Sequence, residues 1–133
     1  MGSAAQLQGL AASARIVLTL KTHVRRAIEL QPHHAPSLHM MGRMLDELPW
    51  LLGGDARKAL EYLVRAMDAD PSYAHARLDL GKAYQKRGRR DDARRELRAV
   101  MNMTDPNNPY AWSRRYRPEA ERLLAEFERG GKE

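Results

Sequence analysis

Apolar residues recur every three or four positions through most of this chain, and charged residues fill the intervals. Between Asp55 and Asp70 the stripe is Ala59, Leu60, Leu63, Val64 and Met67, interleaved with Arg57, Lys58, Glu61, Arg65 and Asp68. A stripe on the helical period of about 3.6 residues marks an amphipathic helix with one face turned to a core. The same pattern predicts helices near 14–30, 35–48, 55–69, 74–87, 90–103 and 117–129, and it leaves room for a further helix in the weakly patterned residues before 14. The punctuation agrees. Asp55, after Gly53-Gly54, is placed to accept hydrogen bonds from the free amides of a first turn. Gln31-Pro32, Asp70-Pro71 and Asp105-Pro106 stop the preceding helices, because a residue before proline is pushed out of the helical region. Gly88 suits a left-handed C-terminal position, and Pro118 suits a first helical turn.

The pattern is also copied. Leu20, Val24, Ala27 and Pro32 stand 39 residues before Ala59, Leu63, Ala66 and Pro71. Ala59, Leu63 and Ala66 stand 34 residues before Ala93, Leu97 and Val100, and Pro71 stands 35 before Pro106. Gly42 and Leu45 pair with Gly81 and Tyr84 at an offset of 39. The difference between 39 and 34 falls in Glu47-Leu-Pro-Trp-Leu-Leu-Gly-Gly54, between two predicted helices, where a repeat architecture tolerates insertion. The chain therefore divides into a weakly patterned segment 1–13, a half unit 14–34, a unit 35–73 with a five-residue insertion, a unit 74–107, and a loop with a capping helix at 108–133, all within one domain spanning 1–133.

These positions resemble the tetratricopeptide repeat. The third unit carries the likeness in Leu80-Gly81-Lys-Ala-Tyr84, Ala93, Leu97 and Asp105-Pro106, and the second in Met41-Gly42-Arg-Met-Leu45, Ala59, Leu63, Ala66 and Pro71. The second unit departs from the pattern at Leu45, where an aromatic is usual. The resemblance implies an all-α, right-handed solenoid of antiparallel hairpins, about two and a half repeats long. Leu123, Leu124 and Phe127 of the last helix would cap its open end. The run from Leu48 through Gly53-Gly54-Asp55 to Ala59-Leu-Glu-Tyr62 is further similar to periplasmic repeat components associated with some solute transporters, and to a related mitochondrial or microtubule-associated family.

Composition adds few constraints. The chain has no cysteine, which excludes disulfides and thiolate chemistry, and a net charge of +6 from 23 basic and 17 acidic residues. No stretch approaches the roughly 20 apolar residues that a membrane span needs, and Ile16–Leu20 is too short for a secretory signal. The expected location is cytoplasmic, or periplasmic if a leader once preceded the chain. No nucleophile–base pair, nucleophile elbow or phosphate loop can be assembled, so no catalytic residue is expected. His34 and His39 are five apart with no intervening glutamate, His33 and His34 are adjacent, and His23 and His75 stand alone. That spacing lacks the i, i+4 pair of a helical zinc site, so neither a metal nor any other cofactor is expected.

The resemblance places a concave face on the first helix of each hairpin. Carried over by position, it offers His39, Arg43 and Asp46 from the second unit, and His75, Leu78, Lys82, Gln85 and Lys86 from the third. Such a surface suits a peptide or protein partner with acidic residues, so the chain reads as a non-catalytic interaction module or scaffold. One alternative is an accessory component of solute transport that holds a small ligand or partner. A lesser one is nucleic-acid binding through the basic run 82–98, which lacks the interleaved aromatics for base stacking. The Lys, Arg and Asn clamp with which some family members grip a chaperone's terminal carboxylate is absent, since Pro36, Met40, His75 and Asp79 occupy those places. The apolar ends of so short a stack also predict self-association into a homo-oligomer.

Overall fold

The computed structural model of the protein describes residues 4–130, and within them every regular element is helical. In order these are α1 (Ala4–Leu30), α2 (Ala35–Glu47), a 3₁₀ turn (Trp50–Leu52), α3 (Ala56–Ala69), α4 (Ala74–Lys86), α5 (Arg90–Met101), α6 (Pro109–Ala111), a π-helical stretch (Trp112–Tyr116) and α7 (Arg117–Gly130). Helices pack against their successors, α2 on α3 and α4 on α5 most extensively, and α7 closes over α5. The result is the all-α stack of hairpins that the repeat implies.

Each hairpin closes where glycine lets two helices touch. A Cβ on Gly42 would stand 2.7 Å from Leu63 Cγ and 3.2 Å from the Ala59 carbonyl oxygen. A Cβ on Gly81 would stand 2.9 Å from Leu97 Cδ2 and 3.5 Å from the Ala93 carbonyl oxygen. The two glycines thus occupy the same surroundings, as their offset predicts. Ala59, Leu63, Ala66, Ala93, Leu97 and Val100 are fully buried beside them.

The helix ends follow the predicted chemistry. The Asp55 carboxylate accepts from the Lys58 amide at 3.1 Å. Gly88 has a φ of 75°, and the Arg89 amide donates to the Tyr84 carbonyl while the Gly88 amide donates to that of Gln85, the paired bonds of a Schellman end. The Asp70 carboxylate accepts from both the amide and the hydroxyl of Ser72, at 3.0 and 2.6 Å. The insertion folds back tightly: the Gly54 amide donates to the Pro49 carbonyl and the Asp55 amide to that of Leu45.

Two boundaries differ from expectation. The first helix begins at Ala4 rather than near residue 14, although Leu7, Leu10 and Ile16 stay exposed. Its Ala-rich sequence sustains a helix by propensity without a continuous buried face to give a strong period. The segment expected as a loop before residue 117 is helical from Pro109, so Pro118 sits inside a continuous helical run rather than at its start. Proline lacks an amide and its ring crowds the carbonyl four residues back. The wider π turn lies immediately upstream, where such a mismatch is absorbed. The Trp112 indole N–H donates to the Val100 carbonyl at 2.7 Å and fixes this turn against the end of α5.

Candidate functional site

Helix α4 carries His75, Asp79, Lys82 and Lys86 at successive spacings of four, three and four, which lines them up along one side. The neighbouring α2 presents His39, Arg43 and Asp46 in the same rhythm. The π segment packs against α4 and brings Tyr116 over His75, the two rings stacked with centroids 4.7 Å apart. Between α1, α2 and α4 lies an open cleft of about 380 Å³, lined by apolar Leu20, Pro36, Met40 and Met44 together with His39, Arg43, Glu47, Tyr73 and His75.

His39, Arg43, Tyr73 and His75 of the cleft belong to a polar cluster centred on Asp79. His39 is 4% exposed. Its Nε2 lies 2.6 Å from Asp79 Oδ2, and its Nδ1 lies 3.1 Å from the Tyr73 hydroxyl. A carboxylate only accepts, so the Nε2–H of His39 donates to Asp79, while Nδ1 and the Tyr73 hydroxyl share a second hydrogen bond. His75 Nε2 and Arg43 Nε each approach Asp79 Oδ2 to 3.5 Å. The His39 and His75 rings meet edge to face at 4.5 Å.

Burial lowers the His75 pKa from 6.5 to about 4; Asp79 opposes the drop, and His39, Arg43 and Arg115 deepen it. The imidazole is therefore neutral at physiological pH. Burial works against ionising Asp79, but the His39 hydrogen bond and the nearby His75, His39 and Arg43 outweigh it and hold the carboxyl below its ordinary value. Burial, with Tyr116 and Asp79 nearby, raises the Tyr73 phenol.

The groove residues expected from position separate into three groups. Arg43, His75, Lys82, Gln85 and Lys86 retain surface on this side of the stack. Asp46 accepts from Lys86 at 3.2 Å and Arg87 at 2.9 Å, so it ties the ends of α2 and α4 together. Leu78 is 1% exposed and belongs to the core, so it is not a groove residue. It shares its repeat position with His39, 39 residues earlier, and both are buried because that position faces into the stack.

Asp79, which the sequence marks only as a departure from the chaperone clamp, is the hub of the site. Its i, i+4 relation to His75 is visible in the sequence, but nothing there brings His39 to it from 40 residues away. The expectation that no metal-ligating set exists rested on spacing within single helices. The donor atoms of His39, His75 and Asp79 lie within 4.8 Å of one another, across two helices.

The basic run 82–98 is partly neutralised, with four carboxylates serving six of its eight cations. Lys82 pairs with Glu119 at 3.0 Å, Lys86 and Arg87 with Asp46, Arg89 and Arg95 with Asp92, and Arg94 with Asp91. Glu96 is 5% exposed and accepts from Arg77 at 3.1 Å between α4 and α5. Asp46 and Glu119 reach these cations from distant sequence, so the surplus of charge along the run overstates the charge on the surface.

Comparison with known proteins agrees with the architecture. The chain is 32% identical over 102 residues to regulator of microtubule dynamics protein 1 of Bos taurus, covering 65% of this chain and 32% of that protein. It is 35% identical over 95 residues to the Homo sapiens protein of that name, covering 59% and 30%. It is 25% identical over 123 residues to regulator of microtubule dynamics protein 3 of Mus musculus, covering 80% and 26%. The chain thus spans no more than about a third of the relatives it matches. The sequence profile of the tetratricopeptide repeat matches residues 51–114. With the copied Gly–Leu hairpins at Gly42–Leu63 and Gly81–Leu97, that match makes this chain a tetratricopeptide repeat protein.

Proposed function

We propose that this chain is a protein-interaction module whose groove along α2 and α4 holds an extended or helical segment rich in acidic residues. The carrying observation is a row of exposed cations that starts with Arg43 in the cleft and continues along α4: Arg43 at 44%, Lys82 at 46% and Lys86 at 57% side-chain exposure. Their pairs with Glu47, Glu119 and Asp46 are exposed or partly exposed, and Arg43 reaches the more buried Asp79 only at 3.5 Å. Pairs of this kind contribute about 0–1 kcal/mol, so a ligand carboxylate can replace an internal one at little cost. Leu20, Met40 and Met44 give the same cleft an apolar wall, and thioethers adapt to varied side chains. Charge-assisted hydrogen bonds would set the register of the segment, and the apolar wall would add affinity.

The kinship with proteins named as regulators of microtubule dynamics supports a role exerted through protein contacts. The test is affinity capture with the wild-type chain and with an Arg43→Glu/Lys82→Glu variant. Both positions are exposed, so the variant should fold. The reading expects a set of captured proteins retained by the wild type and lost by the variant; identical capture by both would refute it.

A further inference from the structure

We propose that His39, His75 and Asp79 form a binding site for a borderline divalent cation of the zinc, cobalt or nickel class. Their three donor atoms lie within 4.8 Å of one another. A tetrahedral ion with bonds of about 2.1 Å sets its donors roughly 3.4 Å apart. The Nε2 of His39 and of His75 already stand 2.6 and 3.5 Å from the same carboxylate oxygen. His75 and Asp79 sit one helical turn apart on α4, so only the contribution of α2 depends on the stack, and His39 is held there by burial. Two imidazoles and one carboxylate select borderline transition ions over magnesium or calcium, which prefer all-oxygen sites.

A second observation points the same way. Imidazole ligands are oriented by a hydrogen bond at the nitrogen that does not bind the metal, and His39 Nδ1 lies 3.1 Å from the Tyr73 hydroxyl. Coordination through Nε2 leaves the His39 ring proton on Nδ1, where the Tyr73 hydroxyl oxygen accepts it. Arg43 and Arg115 oppose a second positive charge. Arg43, however, contacts Asp79 only at 3.5 Å, is 44% exposed and has Glu47 as an alternative partner. With three protein ligands, a tetrahedral ion keeps a fourth position for solvent or a ligand group. The site stands on the cluster alone and not on what fills the groove.

The experiment is calorimetric titration of the chelator-treated chain with Zn²⁺, with Co²⁺ as a second probe followed by visible absorption. Expected are one ion per chain and the intense visible bands of four-coordinate cobalt. Affinity should fall at least about tenfold in His75→Gln, and about tenfold in Tyr73→Phe, which removes only the orienting hydroxyl. Because Asp79→Asn could disturb folding, the test uses these two variants instead, each checked by circular dichroism. A His33→Gln/His34→Gln variant, which removes the adjacent histidines outside the cluster, should bind as the wild type does. The proposal is overturned if the wild type binds no ion, if His75→Gln binds as well as the wild type, or if only the His33/His34 variant loses binding.

Discussion

The second and third repeats close in the same way yet differ in kind at the interior position three residues before each glycine. Gly42 lies against Leu63 and Gly81 against Leu97, with Ala59 and Ala93 beneath them. Three residues before each glycine the chain turns inward: the third repeat places Leu78 there, 1% exposed, and the second places His39, 4% exposed. The leucine is satisfied by apolar neighbours. The imidazole has two nitrogens that must find partners in a region short of water, and it takes Tyr73 and Asp79. A single change of residue type at a repeated position thus turns part of the core into a polar centre and draws His75 and Arg43 around it. Repetition specifies the scaffold here, and departure from repetition specifies the site.

The first way to break this comparison is through the shared part. Leu63→Ala and Leu97→Ala should each destabilise the chain by about 3 kcal/mol, as fully buried leucines do on truncation. Because their surroundings match, chemical denaturation should give similar losses; a large inequality would mean that the two hairpins are not packed alike. The second way acts on the difference. Asp79→Ala leaves the His39 N–H buried without an acceptor and should cost about 2 kcal/mol. Adding His39→Leu converts the second repeat to the pattern of the third and should recover much of that loss. If the double variant is as unstable as the sum of the single ones, His39 and Asp79 are not coupled.

The third test sharpens the comparison through pH, and its expected effect is the smallest. In the folded chain the His75 pKa is lowered from 6.5 to about 4. Between those values the unfolded chain takes up a proton that the folded one refuses, so stability is greatest above pH 6.5 and falls as the solution is acidified toward 4. Asp79, held below its ordinary value, adds a loss in the same direction at still lower pH. Allowing for solvent screening, the His75 contribution is on the order of 1–2 kcal/mol. Urea denaturation in chelator at several pH values should show this slope, and His75→Gln should flatten it. An unchanged slope in that variant would remove His75 as its source.

The amino-acid sequence alone was enough for the helices of the repeats, the hairpin pairing and the glycine contacts. Each depends on residues a few positions apart or on a pattern copied at a fixed offset. Gly42 and Gly81, the Asp55 cap and the left-handed Gly88 were legible for that reason. The early start of α1 at Ala4 and the helical run from Pro109 were not, because propensity and a π turn leave no strong apolar period. The site was legible only in outline. Position put the expected groove residues on α2 and α4, but assigning Leu78 to them assumed that equivalent positions share exposure to ligand, and that position is interior in both repeats.

What only the tertiary structure decided is which polar groups meet. His39 and Asp79 are 40 residues apart, Lys86 and Asp46 likewise 40, and Lys82 and Glu119 37. Periodicity fixes which side of a helix a residue occupies. The partner across the gap is set by the depth and register at which whole helices pack, and that depends on every buried contact at once.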